Sequence, residues 1–178
     1  MPQLSPQQIA QVTGLVAQYI TTQRERFSPQ AAPLAAAHKA AMAGFFLPQV
    51  LDGTQVLVLF GRRVENPPFY PMLASMGFSN LPDFSQMAAI TFCDTVIAHV
   101  PFTDGLLFHE LVHVEQYRQL GIPRFSELYV RGFLSSGGYD GIPLEVNAYG
   151  LGRQFEGNPR QQISVADEVA RWVREERF

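Results

Sequence analysis

Cysteine is almost missing from this chain: Cys93 is the only one in 178 residues, so no internal disulfide holds the fold and no oxidising compartment is required. Charge is scarce too, at 16% of residues, and its sign is balanced, with 13 Lys and Arg against 16 Asp and Glu. The longest basic run is Arg62-Arg63, which excludes an electrostatic nucleic-acid footprint. Long apolar runs are lacking as well. A membrane-spanning helix needs about 20 apolar residues, whereas the stretch from Ala35 to Leu47 is interrupted by His38 and Lys39. The N-terminal Met-Pro-Gln-Leu-Ser-Pro has none of the basic-then-apolar pattern of a secretory signal. These deficits predict a cytoplasmic protein with neither a membrane nor a nucleic-acid partner.

What is plentiful is apolar: 47% hydrophobic residues, 12% of the chain aromatic, enough to exclude disorder as the main state. The length suits one domain, residues 1–178, with an N-terminal helical region over 1–51 and a core over 52–178. Ser5-Pro6 and Ser28-Pro29 each set a capping hydroxyl before a proline, predicting two N-terminal helices, one to about Phe27 and an alanine-rich one ending before Pro48. Gln55 to Phe60 reads as a buried strand, and the Pro- and Gly-rich stretch from Glu65 to Phe84 as an ordered irregular loop. Ala89–Phe92 and Thr95–Val100 flank Cys93-Asp94 at hairpin spacing. Helices are predicted from Thr103 to Leu120, closed by Gly121, then a short one between Pro123 and Leu134, and others from Pro143 to Phe155 and Ser164 to about Arg177. The pattern predicts an α+β fold, predominantly helical, with a small antiparallel or mixed sheet.

The chemistry-bearing residues are His109-Glu110-Leu111-Val112-His113, inside the helix that the Thr103/Asp104 cap opens. Residues four apart on a helix share a face, so both imidazoles can bind one metal ion, with Glu110 beside them as general base toward a water held there. For a chain of this composition such a motif arises by chance in about one sequence in two hundred. Catalytic zinc takes three protein ligands. Gln116 and Gln119 stand where the metzincin continuation needs Gly and His, and Glu115 lies on the wrong face of the same helix. Glu145 is the best candidate, with Asp140 its rival: Pro143 opens a helix that sets Glu145, Ala148 and Tyr149 on one side, Ala148 small enough for close helix approach and Tyr149 aimed at the same site.

His109 to His113 followed by Glu145 within Glu-x-x-Ala resembles the gluzincin group of zinc metallopeptidases, over about residues 90–155. The resemblance implies a zincin-like active-site helix, Zn²⁺ held by His109, His113 and Glu145, and Glu110 activating water against the carbonyl of a peptide or protein substrate. It also implies an antiparallel edge strand before the ligand helix, a place Thr95 to Val100 occupies. Two features depart from the group. Tyr149 stands where many members carry an acidic residue supporting the first histidine, and no motif marks the oxyanion donor, for which Tyr139, Tyr149 and His99 are all candidates.

Plainer roles suit the remaining residues: His99 as a structural or cleft-rim histidine, His38 half exposed, Tyr117, Phe45, Phe46 and Leu106 to Phe108 as packing, and Cys93 as a buried thiol. A second functional class, a non-catalytic zinc-stabilised module that binds peptides, fits the same motif, as does a metallohydrolase acting on a non-peptide amide.

Overall fold

A computed structural model describes residues 3–178; Met1 and Pro2, the start of the polar N-terminus, lie outside the described residues. Helices hold 61% of the chain around a small four-stranded mixed sheet, a predominantly helical α+β fold as the sequence pattern predicts.

Helix α1 (Pro6–Phe27) starts where the Ser5-Pro6 signal puts it. Ser5 Oγ accepts from the Gln8 backbone N–H and Gln8 Oε1 accepts from that of Ser5, so two otherwise orphaned donors are satisfied reciprocally. Its stripe of Val12, Tyr19, Ile20 and Phe27 is buried. Ser28-Pro29 opens only a 3₁₀ turn (Ser28–Gln30), not the second helix. The reason is Pro33: in a helix begun at Pro29 it would sit beyond the first turn, where its missing N–H and its ring break the hydrogen-bond ladder. The chain instead forms a short strand β1 (Ala32–Pro33), and the alanine-rich helix α2 (Ala36–Met42) follows. Pro48 then opens a separate helix α3 (Pro48–Gly53).

Strand β2 (Gln55–Val58) is half-buried, and the irregular stretch after it contains one short helix, α4 (Tyr70–Ser75). Strands β3 (Ala89–Phe92) and β4 (Thr95–Ala98) form the expected hairpin, with Cys93 in the turn at φ 63°. Arg24 of α1 grips the neighbouring Asp94 through two hydrogen bonds of 2.7 and 2.6 Å, fastening the hairpin to the helix. The strand order is β1-β2-β4-β3, with β2 parallel to β4 and the other pairs antiparallel. This corrects the expectation that Thr95 to Val100 is the edge: β4 is interior and fully buried, and the edges are β1 and β3. The parallel partner β2 comes from far away in sequence, so no local signal betrays it.

Helix α5 (Asp104–Ser136) is broken at Gly121, whose φ of 68° and ψ of 164° are non-helical, so the motif helix and the segment after it are two arms as the sequence suggests. Helix α6 (Pro143–Gly157) packs on α5, and α7 (Val165–Arg174), capped by Ser164, closes the chain. The contact of α6 with α5 depends on Gly132. A Cβ there would lie 2.5 Å from Pro143 Cδ and 3.3 Å from Ile142 Cγ2, atoms that open α6. Gly132→Ala therefore has to push α6 outward at the turn carrying Glu145. Overpacking costs about 1–3 kcal/mol against about 1 kcal/mol gained in helix propensity. We expect a lower denaturation midpoint and weaker metal binding; unchanged metal binding contradicts this role.

Candidate metal centre

His109 and His113 project one turn apart from the first arm of α5, and Glu145, in the first turn of α6, reaches them across the helix contact that the fully buried Ala148 permits. The two Nε2 atoms are 3.1 Å apart, and Glu145 Oε2 lies 3.5 Å from His109 Nε2 and 3.3 Å from His113 Nε2. Glu145 Oε2 is sealed from solvent and makes no hydrogen bond, since both ring nitrogens stand too far off or out of line to donate one. Three donor atoms converging in this way can hold a cation between them. Tetrahedral ligands at the roughly 2.0–2.1 Å bond lengths of zinc stand about 3.3–3.4 Å from one another, and two histidines with one glutamate form a known catalytic set. The spacing and the chemistry of the donors both fit a divalent ion.

Electrostatics points the same way. Burial works to lower the His113 pKa, but the Glu145 carboxylate outweighs it and the pKa rises to about 9. Burial works to raise that of Glu145, but the two imidazoles hold it well below the usual carboxylate range. A proton on His113 thus balances the Glu145 carboxylate. Because the His113 value moves from 6.5 to about 9, its contribution to stability is complete below pH 6.5 and is lost as pH rises through 9. Denaturant unfolding of the metal-free protein should show stability falling across that window, with saturating Zn²⁺ cancelling the fall because metal and proton compete for Nε2. A flat metal-free profile contradicts the pairing.

Gln116 is the residue that sequence reasoning missed. It served there only to exclude the metzincin pattern, yet its side chain is fully buried and joins the two ligand helices. Its Nε2 donates to Leu144 O at 3.0 Å and to Asn147 Oδ1 at 2.9 Å, both on α6. A backbone carbonyl can only accept, so the amide oxygen must face His113 and accept from Nδ1–H at 2.9 Å. That bond leaves His113 Nε2 free to ligate. Gln116→Leu keeps the volume and removes all three bonds. Competition with a chelating dye should show zinc affinity about 10–100-fold weaker; undiminished affinity contradicts the role.

Glu110 is buried, and its Oε2 accepts a 2.7 Å hydrogen bond from Thr91 Oγ1 on the edge strand β3, a second partner that the sequence did not reveal. With His113 and Glu145 it lines one cavity. The oxyanion candidates separate by position. Tyr139 lines the cavity, and burial with the nearby Glu145 carboxylate pushes its hydroxyl pKa up. Tyr149 is half-exposed and packs its ring against His109, centroids 4.5 Å apart. His99 has both nitrogens engaged: Nε2 accepts from Val64 N–H at 2.9 Å and Nδ1 donates to Met87 O at 2.7 Å, pinning the loop between β2 and β3. Asp140 stands outside the ligand group, and Glu115 is buried but bonded to Arg118. Cys93 is only half-buried, and burial raises its thiol pKa. Compared with protein-family models, curated proteins and solved structures, the chain matches none.

Proposed function

We propose that this protein is a zinc-dependent hydrolase of peptide bonds. The observation that carries the reading is the convergence of His109, His113 and Glu145, from two helices, next to the buried carboxylate of Glu110. Held by those three side chains, Zn²⁺ would supply Lewis acidity, polarising a carbonyl oxygen and easing deprotonation of water.

The chain's own groups do the rest. Glu110, tethered through Oε2 to Thr91, has Oε1 without a protein partner and takes a proton from the attacking water. As the water oxygen adds to the carbonyl carbon, the Tyr139 hydroxyl donates a hydrogen bond to the developing oxyanion, with Tyr149 the second candidate from the outer side of His109. The C–N bond then breaks, and Glu110 passes its proton to the departing amine, returning to its starting state. Gln116 keeps His113 in the ligating tautomer throughout.

The test is cleavage of an unfolded protein such as reduced casein by protein loaded with Zn²⁺ and by protein stripped with chelator. Cleavage that appears only with metal supports the reading. Stoichiometric metal binding without cleavage of casein or of a broad peptide panel favours a zinc-stabilised binding module instead.

Among the described residues no helix is long and apolar enough to cross a membrane.

A further inference from the structure

The cavity that Glu110, His113 and Glu145 share is otherwise lined by apolar side chains, tyrosines and Thr91. One wall is α1, through Val12, Val16, Tyr19 and Ile20; another is α4 with its flanking loop, through Phe69, Leu73 and Phe84; a third is the second arm of α5, through Phe125 and Phe133. Apart from Glu110, His113 and Glu145, no ionisable group other than tyrosine faces it among the described residues. A charged ligand group entering it would lose its hydration without gaining a partner.

Four tyrosines, Tyr70, Tyr117, Tyr129 and Tyr139, also line the cavity. Among the described residues none of their hydroxyls bonds to another protein group, and none is sealed from solvent. An interior built only for packing satisfies such hydroxyls or uses phenylalanine in their place. These four keep donors open toward the amide oxygens that accompany an apolar group. Traced by the centre of a water-sized sphere, the cavity measures about 110 Å³. An engineered apolar cavity of about 150 Å³ in another protein admits benzene. The room here suits one aromatic or branched aliphatic group of about that size.

We infer that this cavity receives the apolar group beside the bond to be cleaved, so that the substrates are amides carrying one benzene-sized apolar group, with their carbonyl at the Glu110 end. The cleaved bond is taken from the hydrolase reading; the binding is not. The apolar group can belong to an amino-acid side chain or to a short acyl chain, which share the same chemistry. Helix α1 is then a specificity element, because it supplies a wall of the site.

The test titrates three probes into the metal-free protein while backbone amide shifts are followed: N-acetylphenylalaninamide, hexanamide and N-acetylglycinamide. The first two should bind at least tenfold more tightly than the third, since loss of even one methylene from an apolar pocket costs about tenfold or more, and should shift Val16, Ile20 and Leu73. Tighter binding of hexanamide assigns the cavity to an acyl chain, and tighter binding of N-acetylphenylalaninamide to a side chain; either upholds the inference. Val16→Trp and Leu81→Trp, both at partly exposed lining positions, should each weaken these two probes at least tenfold and leave zinc affinity unchanged. Equal binding of the glycinamide, or undiminished binding in both tryptophan variants, overturns the inference. Selective probe binding with no peptide cleaved by the zinc-loaded protein sinks the hydrolase reading alone. Cleavage indifferent to the apolar group sinks this inference alone.

Discussion

Replacing Glu110 with glutamine should leave zinc bound and lower kcat by about 10²–10⁴-fold, the contribution of a positioned general base. The substitution is nearly isosteric, and the new amide oxygen can still accept the hydrogen bond that Thr91 Oγ1 gives the carboxylate at 2.7 Å. What disappears is the charge and the ability to hold a proton. Glu110 is buried but is not among the three side chains whose donor atoms converge, so zinc affinity should change only a few-fold. Elemental analysis and peptide cleavage on the same preparation read both quantities. A glutamine variant that keeps a tenth or more of the wild-type rate removes Glu110 from the mechanism; one that loses its metal moves Glu110 among the ligands.

His113→Ala should be the most damaging single change to the site, and its effect is on binding and stability together. It deletes one of three donors, so zinc affinity should fall by more than the roughly 10–100-fold expected for losing a positioning partner such as Gln116. In the metal-free protein it also strands Glu145, 4% exposed and 3.3 Å from the lost nitrogen. Removing one partner of a buried pair costs about 3–5 kcal/mol, and the lower end applies because His109 remains 3.5 Å from the same oxygen. Adding Glu145→Gln neutralises the stranded charge. The double variant should therefore recover part of the stability, with a coupling energy of about 1–3 kcal/mol in the cycle and no recovery of metal binding. Additive losses would falsify the pairing.

Local signals carried much of this into the sequence. The caps at Ser5 and Thr103 each appear in the structure as a side-chain oxygen accepting a backbone N–H, and Gly121 breaks α5 where it was expected to. The spacing of His109 and His113 needs only the helix they stand on. Glu145 was reachable because Pro143 and Ala148 mark both the start of α6 and its closely packed side. Signals that depend on distant partners were not legible. Nothing near β4 announces that β2 pairs with it in parallel, and so the edge fell to the wrong strand. Ser28-Pro29 carried a valid helix start that Pro33, a few residues on, cancelled. The role of Gln116 exists only once α6 presents Leu144 O and Asn147 to it. The apolar cavity is more distributed still, with walls drawn from α1, the loop around α4 and the second arm of α5.

Whether two imidazoles and one carboxylate from neighbouring helices share a single ion is read by anomalous scattering at the zinc edge from crystals grown with Zn²⁺. One strong peak per chain is expected, bonded to His109 Nε2, His113 Nε2 and Glu145 Oε2 at about 2.0–2.2 Å. The absence of a peak at that point, or a peak there with Glu145 turned away from the ion, contradicts it.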